Sequence, residues 1–176
     1  MPHPNFLNDP DIHLAYETAL AAGSQLLDRP DVLELDVKST PTDIVTHMDK
    51  AAESLIVERL VQARPQDGLL GEEGAAREAQ SGRTWVIDPI DGTINYMYRL
   101  PSWCVSIGLV DSDNRGIIGI VHAPVMNKSW MAKRGEGAWV IEGSQSRKLS
   151  VSDQQELAQA LMGTGFGYSA ARRTQQ

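Results

Sequence analysis

The chain has 176 residues, enough for one domain or for one domain and part of a second. With 41% hydrophobic and 22% charged residues it has a soluble globular composition and is not a disordered chain. Its net charge of −7 excludes the sequence-independent grip on nucleic acid that a basic surface provides. Anionic substrates stay open, because a bound divalent cation reverses the local sign. Cys104 is alone, so no internal disulfide forms. No apolar run has the length of a membrane span, and Met1-Pro2-His3-Pro4-Asn5 lacks the regions of a signal peptide, so the expected compartment is the cytoplasm.

In chain order, Asn8 or Asp9 followed by Pro10 starts a first helix. Leu14, Ala15, Ala19, Ala22, Leu26 and Leu27 recur along it at helical spacing, and Pro30 ends it. Leu33 to Lys38 alternates like a strand. Thr46 opens a second helix with Met48, Ala52, Leu55, Ile56, Leu60 and Val61 on its apolar face, ending before Pro65. Residues 64–83 are polar and glycine-containing and read as a loop around Gly71-Glu72-Glu73-Gly74. Trp85-Val86-Ile87 is a short buried strand leading into Asp88-Pro89-Ile90-Asp91-Gly92-Thr93, and Gly92 to Tyr96 begins a short helix. From Trp103 the pattern becomes strands at 103–110, 116–122, 128–133 and 137–141, an antiparallel meander with turn signals at hairpin spacing. Ser152 with Gln155 reads as a capping box opening a helix at 153–160, and Ala160 to Phe166 as the start of another strand. The expected division is therefore an N-terminal α+β portion, 1–150, and the beginning of a second α/β portion, 151–176.

Two carboxylates as close as Asp88 and Asp91 repel and raise each other's pKa unless a cation lies between them. Oxygen donors of this kind suit Mg²⁺, Mn²⁺ or Ca²⁺ rather than zinc. Pro89 fixes the chain direction and Gly92 permits close backbone approach, while the amides after Gly92 would point at an anion. The same charge argument applies to Glu72-Glu73. Taken singly, these features also fit a helix-capping turn and a solvated acidic pair. His3, His13, His47 and His122 lack metal-ligand spacing, Cys104 lies in an apolar strand, and no dinucleotide fingerprint, nucleophile elbow or Walker loop occurs.

The combination is more specific. Asp43-Ile44-Val45-Thr46 with Asp49, then Gly71-Glu72-Glu73-Gly74, then Trp85 through Tyr96 resembles the inositol monophosphatase family. The likeness continues through Pro101, Val105-Ser106-Ile107-Gly108, Gly119-Ile120-Val121, Ala123-Pro124 and Gly135-Glu136-Gly137-Ala138, covering about residues 10 to 168. The resemblance implies a layered α-β-α-β-α sugar-phosphatase fold and a Mg²⁺-dependent phosphomonoesterase using two or three ions, with Mn²⁺ as a substitute. It implies that Glu72, Asp88 and the Ile90 carbonyl hold one ion, and that Asp88 bridges to a second bound by Asp91. The Gly92 and Thr93 amides, beside Asp91, would bind the phosphate. Glu72 and Thr93 would orient and deprotonate a metal-activated water, with Asp49 bonded to the Thr93 hydroxyl; Lys38 and Glu73 fall at site-edge positions.

The substrate class implied is a small sugar or inositol phosphate such as myo-inositol phosphate. Histidinol phosphate, fructose 1,6-bisphosphate and a phosphoadenosine phosphate are the alternatives within the superfamily. The family also implies a homodimer at full length. Its second portion supplies a further aspartate in a Trp-Asp motif, and no Trp-Asp dipeptide follows residue 93 here. The expectation is thus a chain lacking its C-terminal portion and impaired in turnover; a catalytically inactive, metal-binding remnant is the alternative of another class.

Overall fold

The computed structural model describes residues 8–31, 33–37 and 44–163. Helix α1, Pro10–Leu27, begins where the Asp9 carboxylate accepts from the Asp11 and Ile12 amides. Its buried face is Ile12, Ala15, Ala19, Ala22 and Leu26, whereas Leu27, expected on that face, is 53% exposed. Strands β1, Leu35–Val37, and β2, Ile44–Thr46, pair as a separate two-stranded antiparallel sheet. Lys38 and Asp43 lie outside the described residues.

Helix α2, His47–Ala63, opens on Thr46 as expected, with a full capping box. The Thr46 hydroxyl accepts from the Met48 and Asp49 amides, and the Asp49 carboxylate accepts from the Thr46 amide at 2.8 Å. Its buried face includes two carboxylates, Asp49 and Glu53, among Met48, Ala52, Ile56 and Leu60.

The expected loop at 64–83 contains two strands, β3, Gly68–Gly71, and β4, Ala76–Arg77. Two leucines between glycines give β3 no period of its own; it is a strand because it pairs in parallel with β5, Arg83–Asp91. β5 is correspondingly longer than the expected Trp85–Ile87 and runs into the acidic motif. A short helix, α3, spans Thr93–Met97. Strands β6, Cys104–Asp111, β7, Gly116–Ala123, β8, Lys128–Lys133, and β9, Gly137–Glu142, form the expected meander. A further strand, β10, Gln145–Leu149, escapes the sequence pattern because it is a polar edge strand.

The eight-stranded sheet has the order β10-β9-β8-β7-β6-β5-β3-β4. α1 packs on β6 and β7, α2 packs on β5, and the two helices pack on each other. Between them lie Trp85, Ile87, Val105, Ile107, Leu109 and Ile120. Leu70 and Val86, one residue out of phase, point to the uncovered side. The helix expected at 153–160 is absent: only a 3₁₀ turn at Leu157–Gln159 forms, with Leu157, Leu161 and Met162 exposed. A helix this short needs an apolar face buried on a neighbour, and these side chains have none. The strand expected from Ala160 is not formed through Gly163, and residues 164–166 lie outside the described region. Among the described residues no helix is long and apolar enough to cross a membrane.

Candidate metal and phosphate site

Because β3 and β5 run in parallel with Gly71 opposite Ile87, the two strands deliver Glu72 and Asp88 side by side at their carboxyl ends. The Glu72 amide continues the ladder by donating to the Ile87 carbonyl at 3.1 Å. On the other side β5 pairs with β6, Asp88 opposite Ser106 and Asp91 opposite Cys104. Three steps along β5 thus match two along β6, so one extra residue is inserted as a bulge around Pro89, which has no amide to give the ladder. In a regular strand residues 88 and 91 would face opposite sides. The bulge restores them to one side, because Ser106 and Cys104 share a face.

The electrostatics follow from that convergence. Burial, the charges of Glu72 and Asp91 and a side-chain hydrogen bond with Glu72 push the Asp88 carboxyl up to about 7, against a smaller pull from the Ile90 amide. Asp88 Oδ1 is buried and has no hydrogen-bond partner among the described residues. Glu72 and Asp91 are exposed. Cys104 Sγ lies 3.7 Å from Asp91 Oδ2, and burial together with the Asp91 and Asp88 charges pushes its thiol up to about 12, keeping it protonated and unreactive.

Gly92 then turns the chain with φ of 97°, in the left-handed region, and a Cβ there would come within 3.0 Å of the Ser102 carbonyl. The first helical hydrogen bond of α3 runs from the Tyr96 amide to the Gly92 carbonyl at 3.0 Å, so the amides preceding Tyr96 have no intrahelical acceptor. The Thr93 hydroxyl lies 3.1 Å from the Ile90 carbonyl and 3.3 Å from Asp49 Oδ1. Asp49, fully buried, uses its other oxygen on Thr46.

The structure brings Asp49, Glu72, Asp88, Ile90, Asp91, Gly92 and Thr93 to one end of β5, and Glu73 follows Glu72 in the same loop; Lys38 is outside the described residues. Three contributors went unforeseen. The Tyr96 hydroxyl donates to the Leu26 carbonyl at 2.9 Å, and the Arg29 guanidinium donates to the Tyr96 and Met97 carbonyls, fixing α3 to the end of α1. Glu53 accepts from the Glu73 and Ala75 amides, both at 2.9 Å. The available signal for Glu53 was an acidic residue one turn after Asp49 on an otherwise apolar helix face.

Donor chemistry matches a hard divalent cation: carboxylates and a carbonyl, one carboxylate oxygen buried and unpartnered, and a pKa raised by burial and by neighbouring negative charge. Among the described residues no group of three or more His, Cys, Asp or Glu side chains converges tightly enough to hold an ion unaided.

A sequence model described as "Inositol monophosphatase family" matches residues 7–176. Inositol-1-monophosphatase of Mycobacterium leprae is 41% identical over 144 residues, 79% of this chain and 49% of that protein. Histidinol-phosphatase of Streptomyces coelicolor is 38% identical over 173 residues, 95% of this chain and 62% of its own length. The solved structure of Mycobacterium tuberculosis SuhB superposes with a TM-score of 0.74 at 33% identity, covering 99% of this chain and 63% of that one. The chain therefore spans about half to three-fifths of the length of these relatives.

Proposed function

Since the chain belongs to the inositol monophosphatase family, we propose that it carries the metal- and phosphate-binding centre of a Mg²⁺-dependent phosphomonoesterase for a small phosphorylated polyol. The observation that carries this reading is Asp88: half-buried between Glu72 and Asp91, with an unpartnered oxygen and a pKa of about 7. A lone structural carboxylate would be paired or exposed; this one lies where a cation is needed. In this reading residues 1–150 hold the centre and 151–176 open a second portion, in keeping with a sheet that ends at Leu149.

Glu72, Asp88, Asp91 and the Ile90 carbonyl would hold Mg²⁺, or Mn²⁺ in its place. A divalent cation bound there supplies the charge that makes water acidic near neutral pH and offsets charge on the phosphate. The amides of Gly92 and Thr93 bind the phosphate oxygens. Asp49 holds the Thr93 hydroxyl so that its oxygen lone pairs orient the attacking water. The hydroxyl is too weak a base to take the proton, so Glu72 accepts it. Asp91, Gly92, Asn95, Ser102, Cys104 and Trp130 line a hollow beside the proposed phosphate position, where the leaving alcohol would lie. Glu73 and Lys38 are assigned to the site's edge.

Two relatives of comparable identity are named for inositol-1-phosphate and histidinol-phosphate hydrolysis, so both substrates enter the test. Phosphate release is measured from myo-inositol monophosphate, histidinol phosphate and fructose 1,6-bisphosphate, with and without Mg²⁺, for the wild type and Asp88→Asn. Metal-dependent release lost in the variant is expected. The second reading is metal binding without turnover, since the chain spans only about half to three-fifths of the length of the relatives named for hydrolysis. Calorimetric Mn²⁺ binding with no release from any substrate would establish it. Equal ion affinity in Asp88→Asn and wild type would remove both.

A further inference from the structure

We propose that Glu53 is a positioning residue: it clamps the loop that carries Glu72 and thereby sets Glu72 for the cation, an assignment that rests on the metal-phosphatase reading above. Glu53 is only 5% exposed, on the α2 face that packs against the sheet. Both carboxylate oxygens are occupied, Oε2 by the Glu73 amide and Oε1 by the Ala75 amide, each at 2.9 Å. The loop closes around them, since the Gly71 amide donates to the Ala75 carbonyl at 2.7 Å. Gly71 completes the seat: a Cβ there would collide with Glu53 Oε2 and lie 2.6 Å from Cδ.

This is an expensive way to fill a helix face if packing were its whole purpose. Burying a carboxylate is unfavourable unless it is fully hydrogen-bonded, and Met or Leu would occupy the space without that requirement. What the carboxylate provides is two acceptors for two amides that point the same way. A glutamine side chain offers one acceptor and turns its NH₂ toward the second donor.

The consequence falls on Glu72. Its own amide is held by the Ile87 carbonyl of β5, and the next amide is held by Glu53. The backbone on both sides of Glu72 is thus fixed, and with it the direction in which its carboxylate leaves the chain toward Asp88. Asp49 lies one turn earlier on the same helix and meets the Thr93 hydroxyl. Residues four apart on a helix are neighbours, so α2 sets the relative position of the Glu72 loop and the Thr93 turn. Glu53 touches neither ion nor substrate in this assignment.

The test uses the 176-residue chain, with Mn²⁺ affinity by calorimetry and amide hydrogen exchange by NMR, both at a temperature where the variants are folded. Glu53→Gln is expected to speed exchange at Glu73 and Ala75 by roughly tenfold or more and to weaken Mn²⁺ binding by about tenfold. Exchange at Tyr96 in α3 should stay as in wild type. Gly71→Ala, which leaves α2 unaltered and displaces the carboxylate from the opposite side, should shift both readouts the same way. If Glu53→Gln does not fold, Gly71→Ala decides. A purely structural role would lower the melting temperature and leave the affinity unchanged, and that result overturns the proposal. Wild-type binding abolished by Asp88→Asn yet retained in Glu53→Gln and Gly71→Ala sinks this inference alone. Absence of Mn²⁺ binding in the wild type overturns the metal reading and this inference with it.

Discussion

The two ends of β5 treat acidic residues in opposite ways. At its start, Arg83 reaches Asp11 at 2.7 Å and Asp67 at 3.1 Å, Arg64 also meets Asp11 at 2.7 Å, and the Trp85 indole N–H donates to Asp67 at 3.0 Å. Burial works against the Arg83 charge, but Asp11 and Asp67 outweigh it and hold its pKa above the ordinary arginine value. At its end, Asp88 is crowded by Glu72 and Asp91 and its carboxyl is driven up to about 7. The nine residues of β5 thus run from carboxylates matched by arginines to a carboxylate crowded by two others. The difference teaches what each end is for: Asp11 and Asp67 serve the fold through arginine partners, whereas burial and two neighbouring carboxylates make Asp88 the group that a bound cation would relieve.

Removing a charge from each end should therefore change metal-free stability in opposite directions. Arg83→Ala leaves Asp67, almost wholly buried, and Asp11 short of a partner. Because Arg83 is itself a third exposed, the expected cost is about 2 kcal/mol, the low side for breaking a buried pair. Asp88→Asn relieves repulsion and should raise the melting temperature in EDTA, while weakening Mn²⁺ binding by roughly a hundredfold or more. Arg83→Ala should bind Mn²⁺ as wild type does. Differential scanning calorimetry and titration calorimetry of the two variants read all four outcomes, and a destabilised Asp88→Asn would break the comparison.

A smaller effect concerns pH. In the folded, metal-free chain Asp88 keeps its proton up to about pH 7, whereas in the unfolded chain it releases it near pH 4. Between those values the folded state holds the extra proton, so this residue's contribution to stability falls as pH rises from about 4 to 7 and is constant above. Other carboxylates add their own slopes, since hydrogen bonds and Lys133 hold Asp9 below its usual range despite burial, and partnered Asp111 is lowered too. The useful measurement is thus the melting temperature of wild type minus that of Asp88→Asn, in EDTA. That difference should decline across the window and flatten above it. Saturating Mg²⁺ should stabilise the wild type more at pH 8 than at pH 5, and equal stabilisation at both would contradict the assignment.

The same contrast explains what could be read from the sequence. The capped starts of α1 and α2, and β6 to β9, follow from local rules: Asp9-Pro10, Thr46 with Asp49, and alternation between turn residues. The acidic motif was recognisable because its residues are contiguous. β3 was not, since Leu69-Leu70 becomes a strand only by pairing with β5. Nor was β10, whose edge position leaves it polar. The expected helix at 153–160 shows the converse: a capping signal alone, without a surface to bury Leu157, produces one 3₁₀ turn. Glu53, Arg29 and Tyr96 act across 20 or more residues, through backbone groups that carry no sequence signature.

Asp49 offers a third environment and the smallest expected effect. It is fully buried beside the acidic end, and among the described residues it accepts from the Thr46 amide at 2.8 Å, the Thr46 hydroxyl at 2.5 Å and the Thr93 hydroxyl at 3.3 Å. Thr46→Val deletes the cap of α2 and one of those donors, while keeping the amide and the shape of the side chain. The cost should be about 1 kcal/mol, as for the loss of an N-cap, and Thr46→Ser should recover most of it. Asp49 Oδ1 is untouched by the change, so the Thr93 contact persists and Mn²⁺ affinity should move by less than about threefold, under 1 kcal/mol. Chemical denaturation and calorimetry of Thr46→Val separate the two. A large loss of affinity would mean that the Thr46 hydroxyl, through Asp49, helps to set the charge balance of the acidic end, beyond the Thr93 contact that Asp49 makes.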